Sequence, residues 1–216
     1  MDPERLLFID IESLPAGDPV DPKTLTPPGN LKKPETIAAW YETEAPAKAL
    51  EQFRARALDS MQGRILCIGW ATREKEGVIC EDTEFGTLTN FAQVIEQIYP
   101  WGLRPLFVGW NVEAFDLPWL WRKAVQYGVK PLRKGISKHR NGVENCVDLM
   151  RVWSADWRQY NKLDDVAAFL GLPQKINGID GSKVYDLYLE GRIDEIMEYC
   201  LGDVRTVRSI YERIYQ

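Results

Sequence analysis

Residues 5–12 read Arg-Leu-Leu-Phe-Ile-Asp-Ile-Glu. The run 5–11 is apolar and β-branched, too short for a helix and well suited to a buried strand. It carries two acids at its end, Asp10 and Glu12. Side chains at i and i+2 of a strand share one face, about 6.6 Å apart along the chain. Two carboxylates in that position repel, and each loses hydration when buried. A divalent cation removes both difficulties. A strand end that meets solvent also carries acids, so the pair alone leaves both readings open.

The rest of the chain follows from that first strand. Residues 13–34 hold Pro15, Pro19, Pro22, Pro27, Pro28 and Pro34, which implies irregular chain over a surface. A helical stretch runs from Pro34 to about Asp59, interrupted near Pro46. Residues 64–72 (RILCIGWAT) and 78–82 form two strands joined by a turn at 74–77, the pattern of a hairpin. Residues 87–99 have helical spacing, 105–110 (PLFVGW) a fourth strand, and 115–127 a helix with Pro118 in its first turn. Residues 143–149 supply a fifth strand; 162–170 and 193–215 are helices. A hairpin beside helix-linked strands implies an α/β protein with a mixed five-stranded sheet flanked by helices. The expectation is one domain with a Pro-rich and helical insertion at about 13–60. That insertion follows Glu12 directly and is a candidate lid or substrate guide.

Composition narrows the class. With 27 Lys plus Arg against 32 Asp plus Glu, the net charge is −5 and the pI about 5.1. Taken alone, this argues against a nucleic-acid binder. The one histidine, His139, excludes any site that needs a His pair. Four scattered cysteines, with no CxxC, exclude zinc-ribbon spacing. No basic leader opens the chain and no apolar run reaches a membrane span, so a soluble, cytoplasmic protein is expected.

Two further groups carry chemistry. Asn111-Val-Glu-Ala-Phe-Asp116 follows the fourth strand, with Asp116 at a helix start. Tyr199-Cys-Leu-Gly-Asp203 places a phenol and a carboxylate on one helix face at i, i+4. Singly, an Asp before a helix is an ordinary cap, and a Tyr/Asp pair is an ordinary helix face. Together, in this order and setting, strand-end DxE, NxxxFD and late-helix YxxxD are what a two-metal nuclease needs.

With these motifs the sequence resembles the DnaQ-like (DEDD) 3′–5′ exonucleases of the ribonuclease H-like fold. More narrowly, it is similar to the predicted exonucleases related to the proofreading domain of family B DNA polymerases. GRILCIGWA (63–71), VGWNVEAFDLPWLWRKA (108–124), DDVAAFLGLPQK (164–175) and NGIDGSKVYDLYLEGRIDEIMEYCLGDVRTV (177–207) all read like family segments. The resemblance implies that Asp10, Glu12 and Asp203 hold one metal, with Asp10 bridging to a second held by Asp116. It implies that Tyr199 orients the attacking water. The alternative subclass has a His five residues before the last Asp; Glu198 stands there, which indicates the tyrosine subclass. The residues agree with this chemistry, since two divalent ions stabilise the incoming and leaving oxygens of a phosphodiester. Mg²⁺ or Mn²⁺ prefers carboxylate oxygen.

The expected substrate is the 3′ end of DNA, single-stranded, with RNA as the alternative. A catalytically inactive nucleic-acid-binding module is a further alternative, and a replication or repair protein supplied in trans a possible partner. Between Leu117 and Val143 there is no acid, while Arg122, Lys123, Lys130, Arg133, Lys134, Lys138 and Arg140 are basic. Such a field attracts phosphates. Arg133–Arg140 reads as a mobile loop that orders on binding. Arg133, Lys134, Lys138 and Arg140 are therefore candidate phosphate contacts. Asn111 is expected to support the Asp116 loop, and Leu14 and Phe115 to lie near a terminal base.

Overall fold

The computed structural model describes residues 2–100, 103–139, 142–154, 160–173 and 179–215. The chain divides into two compact units, Met1–Glu12 with Ile65–Gln216, and Ser13–Arg64. The strands are β1 (Leu6–Pro15), β2 (Gly63–Ala71), β3 (Glu76–Ile79), β4 (Leu106–Gly109), β5 (Lys138–His139), β6 (Gly142–Val143) and β7 (Cys146–Asp148). The helices are α1 (Pro34–Thr43), α2 (Ala45–Ala55), α3 (Glu84–Ile98), α4 (Asp116–Gln126), α5 (Lys130–Gly135), α6 (Leu149–Ser154), α7 (Leu163–Phe169), α8 (Val184–Leu189) and α9 (Ile193–Tyr215).

The five-stranded sheet has the order β3-β2-β1-β4-β7. β1 and β7 each pair with β4 in parallel, while β2 and β3 are an antiparallel hairpin. The sheet is thus mixed and helix-flanked, as expected, and compatible with the ribonuclease H-like fold. Its central strand is apolar on both faces. Leu7, Ile9 and Ile11 pack on one side with Leu88 and Phe91 of α3 and Leu117 and Leu120 of α4. Leu6 and Phe8 pack on the other with Val204, Val207 and Ile210 of α9. Strand alternation therefore aims Asp10 and Glu12 toward the α9 side.

α9 presents an apolar stripe, Ile196, Cys200, Val204, Val207 and Ile210/Tyr211, at helical spacing. It reaches the sheet because residue 69 of β2 is glycine. A Cβ there would lie 2.9 Å from Val204 Cγ2, 3.0 Å from Cys200 Sγ and 3.2 Å from the Cys200 carbonyl oxygen. Gly109 ends β4 under a similar constraint, with Val112 Cβ 2.6 Å from where its own Cβ would stand.

Three local expectations change. β1 continues to Pro15 rather than stopping at Ile11, and proline is tolerated at a strand end. The fifth strand is shorter than 143–149, because Asn145 is buried and turns the chain. Its amide accepts from the Ser137 N–H at 2.7 Å and donates to the Pro105 and Gly135 carbonyls at 2.8 Å each. The segment expected to be mobile is ordered as far as it is described. α5 covers Arg133 and Lys134, Lys138 lies in the β5–β6 hairpin, and the buried Leu132 and Ile136 anchor the stretch. Arg140 lies outside the described residues.

In the Ser13–Arg64 unit, the helical stretch breaks where expected. α1 stops at Thr43 and α2 restarts with Pro46 in its first turn. Arg56 Nη1 donates to the carbonyls of Ala16 (3.1 Å) and Asp18 (2.8 Å), and the Ser13 hydroxyl donates to Ala57 O at 2.6 Å. Among the described residues, no helix is long and apolar enough to cross a membrane.

The close approach of α9 to β2 makes a specific demand on residue 69. Gly69→Ala is expected to destabilise the protein by about 1–3 kcal/mol through overpacking. Urea unfolding measures this, and a loss below about 0.5 kcal/mol would show that the helix can move off the strand without cost.

Candidate active site

Four carboxylates are neighbours just past the end of β4, on the stretch of β1 that continues beyond it. Ligand atoms of Asp10 and Glu12, together with Cys200 Sγ, lie within 4.8 Å of one another. Asp203 follows one helical turn after Tyr199 on α9 and is buried. Asp116, the first residue of α4, reaches back to β1, where its Oδ1 accepts the Ile11 N–H at 3.0 Å. That amide belongs to the residue between Asp10 and Glu12, so the β1 pair and the helix-start acid are held in one constellation.

The turn that delivers Asp116 is built on the backbone of Asn111 and on an acid that the sequence reading passed over, Asp148. Asn111 adopts φ +60°, a left-handed conformation that Asn tolerates better than most residues. Its carbonyl accepts from Ala114 N–H (3.2 Å) and Phe115 N–H (3.0 Å). Asp148 ends β7 and accepts from the N–H groups of Asn111 (3.1 Å) and Glu113 (3.2 Å), and from that of Met150 (3.1 Å). It thus pins the turn and starts α6. The only sequence signal was an acid closing an apolar strand, which is how Asp10 was found.

The electrostatics are those of neighbouring buried acids that repel one another. Burial, then repulsion from Glu12, Asp116 and Asp203, raises the Asp10 carboxyl well above its usual range. Burial pushes Asp116 up to about 8 despite its hydrogen bonds with Ile11 and its own backbone. Tyr199 is raised too, by burial and then by the neighbouring Asp203, Glu12 and Asp10 carboxylates, and its hydroxyl hydrogen-bonds Asp203. A phenol so placed is neutral at pH 7.

Cys200 belongs to the cluster by position and differs in chemistry. It is fully buried, its thiol is hydrogen-bonded with Cys67, and burial raises it well above the ordinary thiol range. Its Sγ donates to the Asp10 carbonyl oxygen at 3.5 Å. A protonated thiol is a poor ligand for a hard cation, so oxygen defines the donor set. Asp10, Glu12, Asp116 and Asp203 fit a hard divalent ion.

The remaining candidates separate. Phe115 is half-buried beside Asp116 and packs against Trp119 with the rings tilted by 48°, centroids 5.8 Å apart. Leu14 is 1% exposed and presents no surface to a base. Arg133, Lys134 and Lys138 are not brought to the acids. They line a cleft with Arg104, at the end of the sheet where β4 begins. Lys123 leaves the basic field altogether: its Nζ is buried 3.5 Å from Glu84 Oε2. Glu84 also accepts from Ile65 N–H (2.7 Å) and Tyr127 OH (2.9 Å).

Raised carboxyls give the metal-free protein a definite pH dependence. Asp116 holds its proton to about pH 8 when folded and releases it near 3.8 when unfolded. The folded state binds more protons in this window, so stability falls as pH rises from about 4 to 8. Thermal melts in EDTA should show a lower midpoint at pH 8 than at pH 5. Mg²⁺ or Mn²⁺ should restore it most at pH 8, and Asp116→Asn should flatten the profile. A metal-free midpoint that rises toward pH 8 would contradict the cluster.

Residues 63–216 match the family described as "Predicted 3'-5' exonuclease related to the exonuclease domain of PolB". Asp116, Tyr199 and Asp203 fall within that match, and Asp10 and Glu12 precede it. The chain is 26% identical over 176 residues to an uncharacterized protein of Methanocaldococcus jannaschii, covering 77% of this chain and 94% of that protein. It is 25% identical over 149 residues to a DNA polymerase of Archaeoglobus fulgidus, covering 64% of this chain and 18% of the polymerase. By its match over most of its length, the chain belongs to the family of predicted 3′–5′ exonucleases related to the exonuclease domain of PolB.

Proposed function

We propose that this protein is a metal-dependent 3′–5′ exonuclease that removes nucleoside monophosphates from single-stranded DNA ends. The observation that carries the reading is the meeting of Asp10, Glu12, Asp116 and Asp203 at one end of the sheet, with Tyr199 hydrogen-bonded to Asp203. Family membership supports phosphodiester hydrolysis, and the similarity to a polymerase supports DNA over RNA.

In this reading, Asp10, Glu12, Asp116 and Asp203 would hold two Mg²⁺ or Mn²⁺ ions between them. When bound, the ions lower the pKa of water and stabilise charge on the incoming and leaving oxygens. The protein groups position the reaction. Asp116 keeps its orientation through the Ile11 amide, and Asp148 keeps the turn before it. Tyr199 is neutral and a poor base, so it orients the attacking water through its hydroxyl. Phe115, beside Asp116, offers a partly exposed ring to the terminal base.

The decisive assay uses 5′-labelled single- and double-stranded DNA and RNA, with Mg²⁺, Mn²⁺ or EDTA. A ladder shrinking from the 3′ end of single-stranded DNA, abolished by EDTA, is expected. Shortening of RNA alone would move the substrate to RNA, and binding without shortening would leave a nucleic-acid-binding module. Asp10→Ala should lower kcat by about a thousandfold or more, corresponding to the several kcal/mol that metal stabilisation supplies. Tyr199→Phe should cost about ten- to a hundredfold, the loss of one hydrogen bond in a buried site. Asp148→Ala, which touches no substrate, should cost a similar factor by loosening the turn that aims Asp116. Full activity in Asp10→Ala would remove the site from consideration.

A further inference from the structure

A second concentration of charge lies at the opposite end of the sheet from the acids. Leu106, which opens β4, pairs with Leu6. Arg104 stands two residues before that pair and Asp10 four residues beyond it. Six residues at an extended rise of about 3.3 Å each separate the two levels by about 20 Å along the strand direction. Arg104 Nη1 donates to Ser137 Oγ at 2.8 Å. Beside that bond is a cleft of about 510 Å³ lined by Arg104, Arg133, Lys134, Lys138 and Trp121, among others.

Among the described residues, no carboxylate lines this cleft. The four cations are exposed, and among the described residues none of them is paired with an acid. Lys138 Nζ sits 5.5 Å from the centroid of the Trp121 ring. Uncompensated like charges in one cleft favour a polyanion. An indole among them adds a face on which a base stacks. Phosphates and unpaired bases alternate along a single strand of nucleic acid, which supplies both partners at once. The β5–β6 hairpin spans the interval toward the acids: Lys138 lies at the cleft, and Gly142 packs against the side chain of Glu113, in the turn before Asp116.

We propose that this cleft is a second binding site for single-stranded nucleic acid, gripping the strand upstream of the end held at the carboxylates. The strand's direction rests on the exonuclease reading; the polyanion chemistry of the cleft does not. The 20 Å along the strands alone corresponds to about six nucleotides at the ~3.4 Å rise of a stacked strand, and fewer when the strand is extended; the step from one side of the sheet to the other adds to it. Affinity therefore depends on length up to that number and then levels off.

The test measures binding in Ca²⁺, a hard ion for the same carboxylate oxygens, and a gel checks that every oligonucleotide keeps its length, so that hydrolysis plays no part. Fluorescein-labelled oligothymidylates of three, six, nine and twelve nucleotides are titrated with the full chain. Wild-type affinity should rise at least tenfold between three and nine nucleotides and then change little. The exposed double variant Arg133→Ala/Lys134→Ala should lose at least tenfold on the nine-mer and under twofold on the three-mer. Its slope of log K against log salt should shrink by about 1.4, two single-strand phosphates at ~0.7 each. Urea unfolding of the variant checks that its fold is intact.

Equal affinity of variant and wild type at every length would overturn the cleft, even where the wild type degrades DNA. So would a loss equal at every length. Competition by polyglutamate as strong as by the nine-mer would also overturn it, in favour of an acidic protein partner. Length-graded loss of binding in a protein that never shortens DNA would uphold the cleft and remove the exonuclease reading.

Discussion

The Ile11 amide donates to Asp116 Oδ1 across 3.0 Å, and the arrangement of the candidate site follows from that bond. It fastens the start of α4 to the strand between Asp10 and Glu12, which alternate toward α9. Three acids on two elements are thereby brought to one place, and α9 adds Asp203. The bond forms in spite of the electrostatics. Burial and mutual repulsion raise Asp10 and Asp116 well above ordinary carboxylates, so the fold holds together groups that disfavour one another. Its apolar framework makes this possible: Leu7, Ile9 and Ile11 on one face of β1, Leu6 and Phe8 on the other.

Small residues and backbone turns set the fine positions. Gly69 lets α9 lie against β2, which brings Cys200 and Asp203 to the level of Asp10. Gly109 ends β4 where Val112 and the Ile9 carbonyl leave no room for a side chain. The left-handed Asn111 and the carboxylate of Asp148 then shape the turn into Asp116. None of these residues needs to meet a substrate to matter for the site.

Charge is divided by structure more than by sequence. The net −5 of the chain contains a buried acidic pole and a separate exposed basic cleft. The acid-free stretch 117–143 looked uniform along the chain, but it is not uniform in space. Lys123 turns inward to Glu84, while Arg133, Lys134 and Lys138 turn outward beside Arg104. A helix repeats every 3.6 residues, so Arg122 and Lys123, adjacent in sequence, cannot share a face.

Much of the fold was legible because period and punctuation are local. The β1 run, the 63–79 hairpin, the break at Pro46 and the long α9 each carry their pattern in consecutive residues. The acids of the candidate site were legible as well, since a strand end, a post-strand turn and an i, i+4 pair are short-range motifs. Asp148, Cys200 and Arg104 were not, because each acts through a partner dozens of residues or more away. The sequence by itself determined the elements and the acids they carry. Tertiary structure decided which groups meet: Asp148 with Asn111, Cys200 with Asp10, Arg104 with Ser137. The physical reason is that a carboxylate or a guanidinium has the same local pattern whether it caps a turn, faces water or lines a cleft, and only packing brings it a partner.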